Sequence, residues 1–495
     1  MTHLPRLVVT LTALSVETAR AQIAEVAAAG ADVAELRFDL WPDSERDRVE
    51  ELFPSALPLL ATLRSRAEGG EGPDAPAERA VRLHQFRLLP FERVDAELAR
   101  DPTPAFPPEF ARTLASRHLS ETVTLAEISR MAEAPPSAGT VVKLVVPATV
   151  ARFLRDILPN LPRWLAGGAT VLTTGPSGPL ARIWARELGE PMVFAAPPWG
   201  DGTPPPVEPA QVAVDQLRRS WAVDRGRCFA VVGNPVAHSL SPRVHATWLS
   251  AEARPAVFVS MELWDADELE SMVRLGARGW WDGWSVTHPW KARVAELADE
   301  RSPTVVRTGV ANTISFRNGV VRADLTDGVA VARRAGELLG SGQWDGAEAL
   351  VIGTGGAARA AVDALGSPRR TVWVAGRRSE AARALAAELG GIPAFGREAH
   401  PIGLVVQATT VGRGSGAPLE PAMDEWIGPP TTVLDFVYAA DAPTLRQRWS
   451  ALGARYEDGR RLLVYQAAAA HELWWGQAPA EAEVSSALRR VGCVA

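Results

Sequence analysis

The sequence has little cysteine and no long hydrophobic run. Only two cysteines, Cys228 and Cys493, occur in 495 residues; they have neither metal-site spacing nor the number a disulfide framework needs. No apolar run approaches the roughly 20 residues that span a bilayer, and the N-terminus lacks the apolar core and cleavage site of a signal peptide. These absences predict a cytoplasmic protein in a reducing setting, with no metal site and no membrane partner.

Basic charge does not exceed acidic charge. Asp and Glu number 58 and Lys and Arg 52, which gives a net charge of −6, and no basic stripe stands out. The composition therefore argues against nucleic acid as a partner. No short repeat of the solenoid kind occurs. Apolar residues make up 47% of the chain, enough for a normal core in each of the several domains that this length predicts.

The first half alternates short β-rich runs with helical segments. Eight such runs in roughly 200 residues favour a compact (β/α)8 barrel. We interpret the Pro-rich run Ala196–Pro209 as the last βα loop, because the helical stretch Ala210–Trp221 is needed to close the ring. The predicted strands are Leu7–Leu11, Val33–Phe38, Leu59–Leu63, Arg93–Glu97, Ala111–Ala115, Thr140–Val146, Thr170–Thr174 and Met192–Ala196.

Polar residues within these strands indicate an active site, since charges at the C-terminal ends of barrel strands line the active site of this fold. Glu35, Arg37 and Asp39 fall at i, i+2 and i+4 and so face one way. Lys143 lies in an apolar strand, where lost hydration would lower its pKa and leave an amine able to form a Schiff base. A lysine that snorkels to solvent is the alternative on the pattern alone.

These residues resemble type I 3-dehydroquinate dehydratase. The matching pieces are Glu35-x-Arg37-x-Asp39, Leu63-Arg64-Ser65 with Glu68-Gly69-Gly70, Ser116-x-His118, and Lys143 followed by Pro147. The resemblance implies that Lys143 forms an imine with 3-dehydroquinate. It further implies that His118 is the general base and acid and that Glu35 orients it. The substrate-binding residues that it implies are Arg37, Arg64, Arg182 and Gln211.

The second half opens on a strand, a turn and a helix start. The apolar run Cys228–Val232 precedes Gly233-Asn234-Pro235, and Ser239 and Ser241 follow two residues apart. Ser241 is predicted to be the N-cap, with Pro242 at the first helical position. Two hydroxyls over a helix N-terminus predict a carboxylate site. An ordinary capped helix is the alternative.

Two further positions carry candidates for chemistry. Lys291 lies in the first turn of a predicted helix opened by Pro289, where a cation opposes the helix dipole unless its charge is used. Asp327 precedes the predicted helix Val329–Leu339. Taken singly, a solvated lysine and a capping aspartate are the alternatives.

A Gly-rich turn between a strand and a helix predicts a dinucleotide site. Gly353, Gly355 and Ala358 form a GxGxxA pattern, which lets a pyrophosphate approach the helix N-terminus. Arg377 and Arg378 follow the next strand, Thr371–Ala375, where an NAD site carries Asp or Glu; they favour the 2′-phosphate of NADP. Further strands at Gly403–Gln407 and Thr432–Val437 complete a doubly wound unit.

From about Cys228 onward the ordered motifs closely resemble shikimate dehydrogenase. The matching pieces are GNPVAHSLSP, SVTHPWK, ANT, LTDG, GTGGAA, QATTVG at Gln407–Gly412 and Val464-Tyr465-Gln466. The resemblance implies that Lys291 and Asp327 are the catalytic pair. The substrate-binding residues that it implies are Ser239, Ser241, Thr287, Asn312, Tyr438 and Gln466. The NADP(H)-binding residues are Gly353, Gly355, Gly356, Ala357, Arg377, Arg378 and Thr409.

Together the resemblances predict a bifunctional α/β enzyme that dehydrates 3-dehydroquinate to 3-dehydroshikimate and reduces this with NADPH to shikimate. A shikimate or quinate dehydrogenase with an inactive barrel, and a ligand-sensing regulator, remain alternatives. The predicted domains are a barrel at 1–222, a shikimate-binding lobe at 228–326, an NADP-binding Rossmann lobe at 327–455, and a C-terminal helix at 456–495 that returns to the substrate lobe. The sequence leaves the oligomeric state open.

Overall fold

A computed structural model describes residues 4–101, 113–133, 140–198, 211–223, 225–339, 348–396, 398–411, 421–429, 431–438 and 443–493. The chain forms two compact units, Met1–Cys228 with Ala253–Glu268, and Phe229–Glu252 with Leu269–Ala495. Most of the Pro-rich run after residue 196, interpreted as a loop, lies outside the described residues. None of the described helices is both long and apolar enough to cross a bilayer.

The first half of the chain, as far as the structure describes it, contains eight strands whose apolar side chains are buried. Val141–Pro147 reads as a nearly continuous apolar run because a parallel strand in a covered sheet is buried on both faces. The strands are β1 (Arg6–Leu11), β2 (Val33–Arg37), β3 (Leu59–Thr62), β4 (Arg93–Glu97), β5 (Thr113–His118), β6 (Val141–Pro147), β7 (Ala169–Thr174) and β8 (Met192–Ala195). Their order is β7-β6-β5-β4-β3-β2-β1-β8, and neighbours pair in parallel.

This sheet confirms the predicted eight-stranded barrel, which is nearly closed. β7 and β8 stand at the two ends of the strand order. The guanidinium of Arg182 donates to the carbonyl of Thr173 on β7 and to that of Phe194 on β8, both at 2.9 Å. The arginine thus bridges the two end strands.

Amphipathic helices connect the barrel strands. The first buries Val16, Ala19, Ile23 and Val26 along one side and begins after Ser15, whose hydroxyl accepts from the N–H of Thr18. The helices of the first half are α1 (Val16–Ala28), α2 (Asp43–Arg46), α3 (Pro76–Leu88), α4 (Leu125–Glu133), α5 (Val150–Arg152), α6 (Leu161–Ala166), α7 (Gly178–Ile183), α8 (Ala185–Leu188) and α9 (Val214–Trp221).

The second half adds twelve strands among the described residues. They are β9 (Arg227–Gly233), β10 (Ala256–Glu262), β11 (Gly283–Val286), β12 (Glu300–Arg301), β13 (Thr313–Arg317), β14 (Val320–Asp324), β15 (Glu348–Ile352), β16 (Thr371–Ala375), β17 (Ile392–Pro393), β18 (Leu404–Gln407), β19 (Thr432–Asp435) and β20 (Arg455–Glu457). One sheet of the second unit runs β9-β11-β13-β14-β12, and the other runs β17-β16-β15-β18-β19-β20.

The second of these sheets is parallel throughout. Its strand order reverses between β15 and β18, and ligands bind at such a switch point, beyond the carboxyl ends of the strands. The helices of this half are α10 (Ser241–Ala251), α11 (Ala266–Ala277), α12 (Lys291–Leu297), α13 (Pro303–Thr308), α14 (Asp327–Leu339), α15 (Gly356–Leu365), α16 (Ser379–Leu389), α17 (Pro443–Ala451), α18 (Arg460–Trp475) and α19 (Glu481–Arg490).

Candidate active sites

Lys143 lies inside the barrel, facing a carboxylate. Its Nζ donates to Oδ2 of Asp95 at 2.8 Å and lies 4.4 Å from the centroid of the Phe194 ring. Lys143 is 1% exposed and Asp95 is 3% exposed, so this lysine does not snorkel to solvent. The sequence pointed to burial of the amine but not to its partner.

Both carboxylate oxygens of Asp95 are occupied. Oδ1 accepts a hydrogen bond from the hydroxyl of Ser116, and Ser116 lies beside Lys143 in the register of β5 and β6. Three neighbouring strands therefore bring a carboxylate, a hydroxyl and an amine together. Asp95 lies within the fourth predicted strand, but nothing local connects it with a residue 48 positions away.

His118 is the last residue of β5 and is held by Glu68. Its Nδ1 lies 3.0 Å from Oε2 of Glu68, and its backbone N–H donates to the same oxygen at 2.9 Å. The prediction that Glu35 orients His118 is therefore wrong. Glu35 lies within β2, well separated from β5 in the strand order, and accepts hydroxyl hydrogen bonds from Thr10 at 2.6 Å and Thr62 at 2.8 Å.

Burial and neighbouring charged groups shift the pKa values of the histidine and the glutamates in the barrel. Burial, with Arg64 and Lys143, lowers the pKa of His118 well below its usual value, so the imidazole is neutral near pH 7 and able to accept a proton. Burial opposes ionisation of Glu35, but Lys143 and Arg64 outweigh it and lower the pKa of that carboxyl. Burial raises the pKa of Glu68.

The three predicted substrate-binding arginines differ in what they contact. Arg37 forms a bidentate pair with Asp39 at 2.8 and 2.7 Å, and Arg182 donates to three backbone carbonyls. The Nε of Arg64 is buried without a hydrogen-bond partner in the described part of the chain. Arg64 therefore has donor capacity for a ligand carboxylate.

Gln211 is the last predicted barrel-site residue. Its Nε2 donates to the hydroxyl of Thr10 at 3.4 Å, which in turn donates to Glu35. Its Oε1 is buried and has no partner among the residues that the structure describes. The acceptor is thus available to a ligand hydroxyl.

In the second unit, Lys291 and Asp327 form an ion pair. Lys291 is the first residue of α12, and its Nζ donates to Oδ2 of Asp327, the first residue of α14. Asn312 donates to Oδ1 of the same carboxylate at 3.1 Å. A Cβ at Gly356 would lie 2.9 Å from Cδ of Lys291; glycine there leaves room for the lysine.

The side chain of Asn312 connects this pair with the C-terminal helix α18. Its Nδ2 donates to Oε1 of Gln466 at 3.2 Å and to Oγ1 of Thr326 at 2.9 Å. Its Oδ1 accepts from the N–H of Thr326 at 2.6 Å. Thr326, which the sequence did not single out, thereby fixes the amide orientation.

The helix at the predicted carboxylate site begins one residue earlier than expected. Helix α10 starts at Ser241 itself, with Leu240 at the N-cap, so the prediction of Ser241 as N-cap is wrong. The hydroxyl of Ser239 accepts from the N–H of Ser241 at 3.3 Å. A Cβ at Gly233 would lie 2.3 Å from Cγ2 of Thr287, so this glycine lets the strand end approach Thr287.

One cavity of about 730 Å³ is lined by every residue that the sequence predicted to bind ligand or react in the second half. Ser285 lines it too; this hydroxyl is buried and unpartnered within the described ranges. The predicted residues lining it are Ser239, Ser241, Thr287, Lys291, Asn312, Asp327, Gly353, Gly355, Gly356, Ala357, Arg377, Arg378, Thr409, Tyr438 and Gln466.

The dinucleotide end of this cavity fits a pyrophosphate. Gly353 has φ +133°, and a Cβ there would lie 2.8 Å from the carbonyl oxygen of Ala408, so the turn closes on the end of β18. Gly355 is the N-cap of α15 and has no side-chain cap; a Cβ there would meet no protein atom within 4 Å. Open space at a helix N-terminus, with Arg377 and Arg378 on the same cavity, suits a phosphorylated dinucleotide.

Lys143 and Lys291 are the only lysines of the chain, so the other 50 of its 52 Lys and Arg residues are arginine. Each lysine contacts an aspartate with its Nζ. Arginine is always charged and forms no Schiff base. Both lysines thus stand at predicted catalytic positions, each paired with a carboxylate. No group of three or more His, Cys, Asp or Glu side chains in the described ranges is placed to hold a metal ion.

Comparison with protein families finds a different family in each half of the chain. Residues 7–226 match type I 3-dehydroquinase, and residues 231–314 match the shikimate dehydrogenase substrate binding domain. The shikimate dehydrogenase (NADP(+)) of Jannaschia sp. (strain CCS1) is 32% identical over 259 residues, 50% of this chain and 92% of that protein. The corresponding protein of Caulobacter vibrioides (strain NA1000 / CB15N) is 35% identical over 260 residues, 50% and 90% of the two chains.

Solved structures are similar to about half of this chain or to nearly all of it. Shikimate 5-dehydrogenase from Thermus thermophilus, in complex with NADP(H) and shikimate, is 32% identical, covers 54% of this chain and 99% of that chain, and has a TM-score of 0.47. Dehydroquinate dehydratase and shikimate dehydrogenase from S. pombe AroM is 22% identical, covers 99% of this chain and 98% of that chain, and has a TM-score of 0.44.

Proposed function

We propose that the chain catalyses two consecutive reactions, because it belongs to the shikimate dehydrogenase family over its second half and its first half matches the model of type I 3-dehydroquinase. The barrel dehydrates 3-dehydroquinate to 3-dehydroshikimate, and the second unit reduces this ketone to shikimate. The observation that carries the proposal is that each half presents its single lysine, paired with an aspartate, among groups suited to one of the two reactions. The cysteine usage supports a reducing, cytoplasmic setting for both.

In the barrel, Lys143 attacks the substrate ketone and forms an imine, which draws electrons from the neighbouring C–H bond. Neutral His118 removes the C2 proton, and the imidazolium protonates the hydroxyl that leaves as water. Glu68 orients the ring. Arg64 binds the substrate carboxylate, and Gln211 accepts from a substrate hydroxyl. Water then hydrolyses the imine and releases the product.

In the second unit, Lys291 protonates the carbonyl oxygen of 3-dehydroshikimate as negative charge develops there. NADPH supplies the hydride when it is bound. Asp327 holds the Lys291 ammonium, and Asn312 holds Asp327. Ser239 and Ser241 donate to the substrate carboxylate, while Thr287, Tyr438 and Gln466 contact the carboxylate or ring hydroxyls.

A coupled assay tests both halves at once. NADPH absorbance is followed after adding either 3-dehydroquinate or 3-dehydroshikimate to the full chain. We expect NADPH loss with each substrate, loss only with 3-dehydroshikimate for Lys143→Arg, and no loss with either for Lys291→Arg. Wild-type turnover of 3-dehydroshikimate alone contradicts the dehydratase assignment, and turnover of neither contradicts the whole proposal. Oxidation of quinate faster than of shikimate by NADP(+) favours the quinate dehydrogenase alternative.

A further inference from the structure

Formation of an imine from Lys143 requires a proton transfer from its ammonium group. The amine attacks a carbonyl only when neutral, yet its Nζ donates to the buried carboxylate of Asp95 at 2.8 Å. The contact is an ion pair between the ammonium and the carboxylate. The ammonium proton therefore needs an acceptor beside Nζ before attack.

We propose that Asp95 is that acceptor and is a catalytic residue of the dehydratase site; the inference rests on the proposed dehydratase function. Oδ2 takes one proton from the Lys143 ammonium, which leaves a neutral amine beside a neutral carboxylic acid. The amine adds to the ketone carbon, and one proton passes from the attacking nitrogen to the former carbonyl oxygen. Asp95 then returns its proton to this oxygen, which departs as water. Overall, ammonium and ketone become a protonated imine and one water, with Asp95 again ionised beside the new cation.

The groups around Lys143 leave this role to Asp95. The oxygens of Glu35 accept from Thr10 and Thr62. Nδ1 of His118 faces Glu68, and its Nε2 is the base for the C2 proton of the substrate, whereas Asp95 is the group that accepts the hydrogen bond from Nζ of Lys143. Phe194 presents only its ring to the amine. Arg64, which also feels the charges of Asp95 and Glu35, is a cation and accepts no proton.

The position of Asp95 is also well defined. The hydroxyl of Ser116 donates to Oδ1, so the lysine and the serine approach different oxygens of one carboxylate. Asp95 lies on β4 and Lys143 on β6, with Ser116 on the intervening β5. Proton transfer then needs no displacement of either side chain.

The test measures the rate of imine formation. The full chain is mixed with 3-dehydroquinate, quenched with borohydride at millisecond intervals, and the reduced adduct is quantified by mass and mapped to Lys143 over about pH 6 to 9.5. For Asp95→Asn we expect trapping at pH 7 to fall ~100-fold, within the range for loss of a general base. The rate should then rise about tenfold per pH unit as hydroxide replaces the missing acceptor.

A conservative variant and a matched control complete the test. Asp95→Glu keeps a proton acceptor and should show the wild-type pH profile of trapping at a reduced rate. This variant tests the role of Asp95 even if Asp95→Asn yields no folded barrel. Glu190→Gln removes another buried carboxyl of the barrel, one bonded to Thr170, and should trap like wild type. Equal trapping by Asp95→Asn and wild type at pH 7, or a tenfold-per-unit slope for Asp95→Glu, overturns the role of Asp95. Failure of wild type itself to trap instead overturns the dehydratase function.

Discussion

Glu68 binds His118 twice through one oxygen: Oε2 accepts the backbone N–H at 2.9 Å and lies 3.0 Å from Nδ1. A carboxylate accepts, so this contact favours the tautomer with hydrogen on Nδ1 and leaves Nε2 as the base. The tautomer of the proposed base thus depends on a turn that follows β3.

We therefore expect Glu68→Gln to lower kcat for dehydration by roughly 10² and to change its pH profile, with KM little altered. Glu35→Gln is the comparison: it removes the buried carboxylate that does not contact His118. The pH dependence of kcat for both variants, measured with 3-dehydroquinate, checks this. A shifted profile for Glu35→Gln alone would speak for the original assignment of Glu35.

The buried Arg79 holds the segment after β3 that carries Glu68. It is fully buried, pairs with Asp101 through Nε and Nη2, and donates through Nη1 to the carbonyls of Leu63 at 2.9 Å and Pro73 at 3.2 Å. One guanidinium thus joins both ends of the segment that carries Arg64 and Glu68.

Removing this guanidinium leaves a buried carboxylate uncompensated, which costs roughly 3–5 kcal/mol. Arg79→Met should therefore unfold the barrel, and lose dehydratase activity, at a lower urea concentration than wild type, while reduction of 3-dehydroshikimate persists there. Arg82→Met, on the same helix with a more exposed partner, Asp43, should change the midpoint little. Equal urea midpoints for the two variants, followed by dehydratase activity, would contradict the role of Arg79.

Much of the fold and most of the second site were predictable because their signals are local. The alternation of β-rich runs with helical segments predicted the eight barrel strands, and the glycine pattern at Gly353 predicted the tight turn there. Contacts between distant residues had no such signal: Asp95 reaches Lys143, and Glu68 reaches His118, only because the barrel brings β4 beside β5 and β6. The error over Glu35 came from choosing the carboxylate by motif, without the distance that strand order sets.

If the Lys291–Asp327 pair acts in the chemical step, a change at Asp327 should lower kcat without lowering the affinity for NADPH. Asp327→Asn removes the charge that holds the ammonium, so kcat for reduction of 3-dehydroshikimate should fall about 10²–10⁴-fold. NADPH affinity, measured by fluorescence titration, should stay within about twofold of wild type because the Gly-rich turn is unchanged. An unchanged kcat would contradict the proposed role of this pair.

Arg377 and Arg378 line the dinucleotide end of the cavity, and they are expected to set the preference for NADPH. Each hydrogen bond from a guanidinium to a phosphate contributes ~1.5–3 kcal/mol, so replacing both with serine should raise KM for NADPH roughly 10–100-fold and leave KM for NADH nearly unchanged. Arg383→Ser, an exposed position on α16, is the control. A parallel loss for both coenzymes would point to misfolding of the turn instead of phosphate recognition.

Glu190 predicts a pH dependence of barrel stability. Burial raises its pKa to about 8, although the hydroxyl of Thr170 acts in the opposite direction. In the unfolded chain a glutamate ionises near ~4.3, so between these values the folded state keeps a proton that the unfolded state loses. The free energy of unfolding should therefore fall as pH rises through this window, by at most about 1.4 kcal/mol per pH unit.

Glu190→Gln should flatten this dependence, leaving a barrel that resists urea better than wild type above about pH 8. Urea titrations at several pH values, followed by dehydratase activity, measure the slope. Identical slopes for variant and wild type would mean that Glu190 ionises in the folded barrel as it does in the unfolded chain.

The presence of one lysine in each half gives the protein two built-in spectroscopic reporters. Lysine labelled with ¹⁵N at the side chain would introduce only two amine signals, one from Lys143 and one from Lys291. Conversion to an imine moves the first signal far downfield, while ligand binding in the second unit perturbs only the other. A single sample observed during turnover would then show, in real time, which of the two sites is occupied.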